Sequence, residues 1–183
     1  MSGWLYWLVG GGLLLYAIII YNGFVSLRAR AEAAWSDIDV QLKRRHNLIP
    51  NLVDTVKAYA THERQTLEQV TRARQQAIAT QGIASLGPAE AQLSGALQHL
   101  FAVVEAYPDL KANGNFLDLQ RQLVETEEAI QNARRYYNAV VRDYNTKVGS
   151  FPDLLVARPL AFGLRDYFQL DSADERRVPE VAL

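Results

Sequence analysis

The chain has 183 residues, with 19 Lys and Arg against 20 Asp and Glu and no cysteine. Balanced charge offers no electrostatic footprint for nucleic acid. The absence of thiols excludes disulfides, thiolate catalysis and Cys-ligated metal, and it fits a cytoplasmic body.

The first element is apolar. Residues 1–27 contain no Asp, Glu, Lys or Arg, and charge then arrives with Arg28, Arg30 and Glu32. Trp4, Tyr6 and Trp7 stand at one end of this stretch and Tyr21 at the other, where aromatic rings favour the headgroup level. As helix, residues 4–21 cover about 26 Å, close to the roughly 30 Å hydrocarbon thickness. The stretch predicts a retained transmembrane anchor, with Trp4, Trp7, Leu14, Ile18 and Tyr21 meeting lipid. The alternative is a cleaved signal peptide. It would need a basic residue ahead of the apolar run and a shorter run, and neither is present. Gly10, Gly11 and Gly12 lack both the Gly-Lys-Ser/Thr continuation of a phosphate loop and the strict GxxxG spacing of a helix-dimer motif. Nothing basic precedes the span except the α-amino group, whereas Arg28, Arg30, Lys43, Arg44 and Arg45 follow it. The positive-inside rule then puts the N-terminus outside and the body in the cytoplasm.

About 155 residues remain beyond the anchor, enough for one domain with its own core. Plentiful Ala, Leu, Gln, Glu and Arg favour helix. Four runs show helical periodicity. The first leaves the membrane through Phe24, Leu27, Ala31, Ala34, Ile38 and Leu42, and is expected to end near Arg45. Pro50 disfavours helix at Ile49, which predicts a corner at residues 46–49. The second run carries Leu52, Val56, Tyr59, Leu67, Val70 and Ala77 and ends near Thr80. Gly82 to Pro88 reads as a linker. The third, from Ala89 to Tyr107, carries Leu93, Leu97, Leu100 and Val104. Pro108 ends it, and Asn113-Gly114-Asn115 reads as a turn. The fourth is the most regular: Phe116, Leu119, Leu123, Thr126, Ile130, Ala133, Tyr137, Val140 and Tyr144 alternate steps of three and four, as a coiled-coil seam does.

The expected fold is therefore all-α: an N-terminal transmembrane helix continuing into an antiparallel up-down four-helix bundle with long helices. The expected division is an anchor at 1–27, a bundle at 28–151, and an apolar membrane-proximal segment with a C-terminal tail at 152–183. Helices of about 46 and 54 Å for the second and fourth runs outreach the roughly 37 Å of the first between Tyr21 and Arg45. That mismatch predicts a bend at Asn22-Gly23 or an overhang shielded by neighbouring subunits. The segment 151–162 is too apolar for a free loop. Phe151, Leu154, Leu155, Arg158 and Phe162 are candidate membrane-proximal residues, the alternative being that they close the open end of the bundle.

No constellation of catalytic residues emerges. His62-Glu63 lacks the second histidine of a zinc-protease helix. The residues three before His46, His62 and His99 are Lys43, Tyr59 and Ala96, so the Glu-x-x-His pairs of a di-iron bundle are missing. No nucleophile elbow or glycine-rich phosphate turn is present. Two polar clusters stand out: Asp37 to His46 at the end of the first run, and Arg134 to Asn145 on the fourth. Asp37, Arg44, Arg45, Arg135, Tyr136, Arg142 and Asp143 form a candidate interaction surface, since Tyr and Arg are enriched at interfaces. The alternative is ion pairs joining helices, each worth roughly 0.3–0.5 kcal/mol when exposed.

These segments resemble the LemA family. The matching strings are Tyr21-Asn22, Leu27-Arg28, residues 34–45, Leu48-Ile49-Pro50-Asn51-Leu52-Val53, Val56-Lys57, His62-Glu63, residues 106–113, Ala133-Arg134-Arg135-Tyr136-Tyr137-Asn138, Val141-Arg142-Asp143-Tyr144-Asn145, Phe151-Pro152 and Tyr167-Phe168. The resemblance implies a bacterial envelope protein with one N-terminal span and a helical body, and it supplies no reaction and no catalytic residues. The genes of such proteins often neighbour those of membrane metalloproteases, which implies an adaptor role.

The expectation is a non-enzymatic scaffold of the bacterial inner membrane, crossing it once and acting through protein contacts. Its expected partners are the lipid bilayer, further copies of itself and a membrane protein, with no nucleic acid and no cofactor. The rival readings are a subunit of a membrane enzyme complex, such as a regulator of a membrane metalloprotease, and a membrane-shaping protein.

Overall fold

The structure is a computed structural model that describes residues 3–169. Among these residues there are helices and no strands: α1 (Gly3–Tyr59), α2 (Arg64–Ala79), α3 (Ile83–Val104), the single turn α4 (Pro108–Lys111), α5 (Gly114–Gly149) and the single turn α6 (Leu154–Ala157). The all-α expectation holds. The tail expected beyond the apolar segment lies, from residue 170 on, outside the described residues.

The described chain divides into two compact units, 3–37 with 135–166 and 38–134 with 167–169. This division cuts through the expected 28–151 body, whose two ends group with the anchor.

The second unit is a four-helix bundle. Ile49, Leu52 and Val56 of α1, Leu67, Val70 and Ala77 of α2, Leu93, Leu97, Leu100 and Val104 of α3, and Phe116 and Leu123 of α5 form one buried cluster, with Leu110 of α4 added at its end. All of these except Ile49 and Leu110 are seam residues that the periodicity singles out. A buried Leu or Ile of this kind contributes about 1.5–3 kcal/mol relative to an exposed one.

The first unit pairs the leading part of α1 with the trailing part of α5. Its core contains Ile20, Phe24, Tyr144 and Ala157, with Leu27, Val148, Val156 and Phe162 packed against them. Trp35 meets Tyr137 edge-on at 5.6 Å, a favoured aromatic geometry.

One local expectation is corrected. No corner forms at 46–49, because α1 runs straight through Pro50 to Tyr59. A proline removes the hydrogen bond to the carbonyl four residues earlier, here His46. Arg74 of α2 replaces the missing donor, its Nε reaching the His46 carbonyl oxygen at 2.7 Å. The chain turns instead at residues 60–63, which contain neither Gly nor Pro. Glu63 there accepts a 2.8 Å hydrogen bond from the Tyr107 hydroxyl. That bond, followed by burial, raises the Tyr107 pKa above the ordinary phenol range. The residues around Asn22-Gly23 are helical, as part of α1. The Lys147 ammonium lies against Gly23, where a Cβ would displace it, and 5.3 Å from the centre of the Phe24 ring.

Two further boundaries differ. The expected linker from Gly82 is helix from Ile83 onward, with Gly82 as its N-cap at φ 89°, a backbone state that favours glycine. At 113–115 the turn is the start of α5: Asn113 Oδ1 accepts the Phe116 amide at 3.1 Å, the bond an N-cap asparagine makes.

Candidate functional site

Three features stand apart from a plain apolar bundle. The first lies inside the second unit. On α1, Ile38, Leu42, Ile49, Leu52 and Val56 mark a seam by steps of three and four, and Arg45 occupies the seam position between Leu42 and Ile49. On α3, Leu86, Leu93, Leu97 and Leu100 mark another, with Glu90 in phase. Each helix therefore carries a charge toward the core, and the two charges meet. Glu90 is 1% exposed and Arg45 5%. Glu90 receives Arg45 Nη1 at 3.4 Å and lies 2.8 Å from His46 Nε2. Arg45 Nη2 also reaches Ser94 Oγ at 2.7 Å and Glu127 of α5 at 3.2 Å. Such partners are required, because a buried charge without them is strongly destabilising.

The second feature is a clasp in the first unit. Asn145 bonds both backbone groups of Arg165, donating to its carbonyl and accepting from its amide, each at 2.9 Å. The Tyr137 hydroxyl donates to the Asp166 carbonyl at 3.0 Å. Burial raises the Tyr137 pKa above the ordinary phenol range. Arg165 reaches Glu32 at 2.8 Å, and Arg28 reaches the same carboxylate oxygen at 3.0 Å. These hydrogen bonds, that from Arg28 foremost, hold the Glu32 carboxyl below the usual carboxylate range.

The third feature is the start of α1, long and apolar enough to cross a membrane. Trp4, Trp7, Leu14, Ile18 and Tyr21 are all exposed. A core helix of a soluble protein would have this surface buried, and an apolar face of this size requires lipid or protein to cover it. This supports membrane association.

The residues expected to form an interaction surface separate into two sets. Asp37, Arg44, Arg135, Tyr136, Arg142 and Asp143 are exposed, Arg142 and Asp143 forming a 3.3 Å ion pair. Arg45 is corrected: it points into the bundle because it lies on the apolar seam. Of the candidate membrane-proximal residues, Phe151, Leu155 and Arg158 are exposed, and Leu154 and Phe162 are partly buried. Glu90, Ser94 and Glu127 are partners the sequence reading misses, whereas Asn145 lies in the polar cluster of the fourth run. Glu90 alone carried a signal, a lone charge in phase with leucines.

Chemically, these arrangements join helices. Among the described residues, no group of three or more His, Cys, Asp or Glu side chains is placed to hold a metal ion. His62 and His99 are exposed and on separate elements. An open groove of about 580 Å³ between α1 and α2 is lined by Val53, Lys57, Thr61, Arg64, Leu67, Glu68, Thr71, Arg72 and Gln75, where Thr71 Oγ1 donates to the Leu67 carbonyl and Arg64 pairs with Glu68.

Comparison with known proteins adds a family. The family model described as LemA family matches residues 34–183. The magnetosome protein MamQ 2 of Paramagnetospirillum magneticum is 27% identical over 175 residues, covering 81% of this chain and 64% of its own length. The magnetosome protein MamQ of Magnetospirillum gryphiswaldense is 25% identical over 174 residues, with the same two coverages. Protein LemA of Metamycoplasma hominis is 29% identical over 132 residues, covering 69% of this chain and 58% of its own length. The chain thus spans less than two thirds of the length of these relatives. None of the names describes an enzyme.

Proposed function

We propose, from the premise that this chain belongs to the LemA family, that it is a membrane-tethered helical scaffold that holds partner proteins or further copies of itself at the membrane surface. One observation carries the reading: a single helix, α1, begins as an exposed apolar span and supplies Ile49, Leu52 and Val56 to the bundle core. Tethering confines the body to a thin layer beside the membrane. Confinement raises effective concentration, so that individually weak contacts become effective without chemistry. The exposed Arg135, Tyr136 and Arg142 on α5 are of the residue types that carry contact energy at interfaces. The excess of Arg and Lys after the span favours an outside N-terminus and a cytoplasmic body at the bacterial inner membrane.

Two measurements in intact cells test this. A cysteine at exposed Thr61 is the sole thiol, since the chain has none of its own. It should resist an impermeant reagent until the membrane is opened, and immediate labelling would reverse the orientation. A photo-crosslinking residue at Tyr136 should trap a discrete protein or a second copy. Crosslinking confined to solvent and lipid would remove the scaffold reading.

A further inference from the structure

Residues 150–164 join α5 to the clasp at Arg165, and their exposed apolar side chains have no role in either. We propose that this segment seats in the headgroup layer of the bilayer that α1 crosses, with its apolar side chains at the acyl boundary and Arg158 on anionic lipid phosphates. The inference rests on the membrane-anchored reading above.

Depth is the first argument. Tyr21 closes the apolar span, and Phe24 lies one helical turn further, about 4.5 Å along the axis. The Phe162 ring stacks on Phe24 at 4.8 Å and 21°, and meets Tyr21 edge-on at 5.9 Å. The segment is therefore pinned to α1 at the level where the span ends and the interface begins.

Its two-sided character is the second. Ala157 is buried and Val156 and Phe162 are packed in the core cluster of this unit. Phe151, Leu155, Leu160 and Leu164 stay 76%, 62%, 51% and 73% exposed. Four large apolar side chains in one short stretch are a costly surface to give to water, and a suitable one to place at the acyl boundary.

Charge is the third. The stretch contains two charged residues, Asp153 and Arg158. Lys147 neutralises Asp153 at 3.5 Å. Arg158 has no side-chain partner among the described residues, so the segment presents a lone positive charge, the sign that anionic headgroups attract.

The test uses the full chain in phosphatidylcholine–phosphatidylglycerol vesicles whose acyl chains carry bromine at a shallow or a deep position. A fluorophore is attached to one cysteine at a time, at Leu14, Ser36, Leu155 or Leu160. Ser36 is exposed on α1, about 22 Å beyond Tyr21. The expected result is loss of fluorescence to deep bromines at 14, to shallow more than deep bromines at 155 and 160, and to neither at 36. Arg158→Glu should reduce shallow quenching at 155 in these vesicles and leave it unchanged in pure phosphatidylcholine. Quenching at 14 without quenching at 155 and 160 overturns the inference and leaves the anchor intact. Self-quenching at 155 that grows with protein density would then identify a second copy as the cover. Absence of quenching at 14 overturns the anchor itself. Equal quenching by Arg158→Glu and the parent protein in anionic vesicles overturns the headgroup contact.

Discussion

Substituting Arg74 tests the device that lets α1 pass through Pro50. Arg74→Ala removes the 2.7 Å bond to the His46 carbonyl, and Pro50 has no amide hydrogen to take its place. His46 is 8% exposed, so the carbonyl is poorly placed to recruit water. Loss of a hydrogen bond from a charged donor is worth about 1.5–3 kcal/mol, and lost packing of the arginine stem adds to it. Pro50→Ala separates the two contributions. It restores an amide that donates to His46, and it relieves the roughly 3 kcal/mol that a proline costs in a helix interior. In that background Arg74→Ala should cost only the stem packing and a second, redundant bond. The four proteins form a double-mutant cycle with an expected coupling of about 1–2 kcal/mol. The assay is urea unfolding of the full chain in detergent micelles, followed by far-ultraviolet circular dichroism. An Arg74→Ala cost that is the same in the parent protein and in the Pro50→Ala background would refute the account.

Glu90→Ala should lower stability by about 3 kcal/mol, the low end for breaking a buried pair, because Ser94 and Glu127 still hold Arg45; a loss near zero in the same urea assay would mean that the cluster is solvated. Asn145→Ala should cost about 1–3 kcal/mol by leaving both backbone groups of Arg165 unpaired, and should speed trypsin cleavage after Arg165; unchanged cleavage would contradict the clasp. Glu32 carries a depressed folded pKa, so its contribution is present above the unfolded value and lost as pH falls through the folded one, below the ordinary carboxylate range. Its carboxyl carbon shift should follow that course in nuclear magnetic resonance, with Arg28→Ala raising the midpoint more than Arg165→Ala; a midpoint at or above the ordinary range would contradict the pairing. Phe24→Ala should cost about 3–5 kcal/mol, since Phe24 is fully buried between Phe162 and Tyr144; a small loss by thermal unfolding would show that the 150–164 segment is not pinned there.

What the sequence alone determined is whatever depends on periodicity and on transfer from water. An uncharged run of the right length marks a candidate membrane span, because burying charge in lipid is costly. Apolar residues every three or four positions mark the buried faces of α1, α2, α3 and α5, because a helix places those positions on one side. Tertiary structure decided the rest, where a distant group changes the local balance. Pro50 reads as a corner until Arg74, 24 positions later, supplies the hydrogen bond that proline removes. The turn at 60–63 has no breaker of its own and coincides with the Tyr107–Glu63 bond. Arg45 and Glu90 each look like surface charge or misplaced polarity in isolation, and form a buried pair once two seams face each other. The partners that satisfy a backbone carbonyl or a buried charge come from other helices, so no local window of residues contains them.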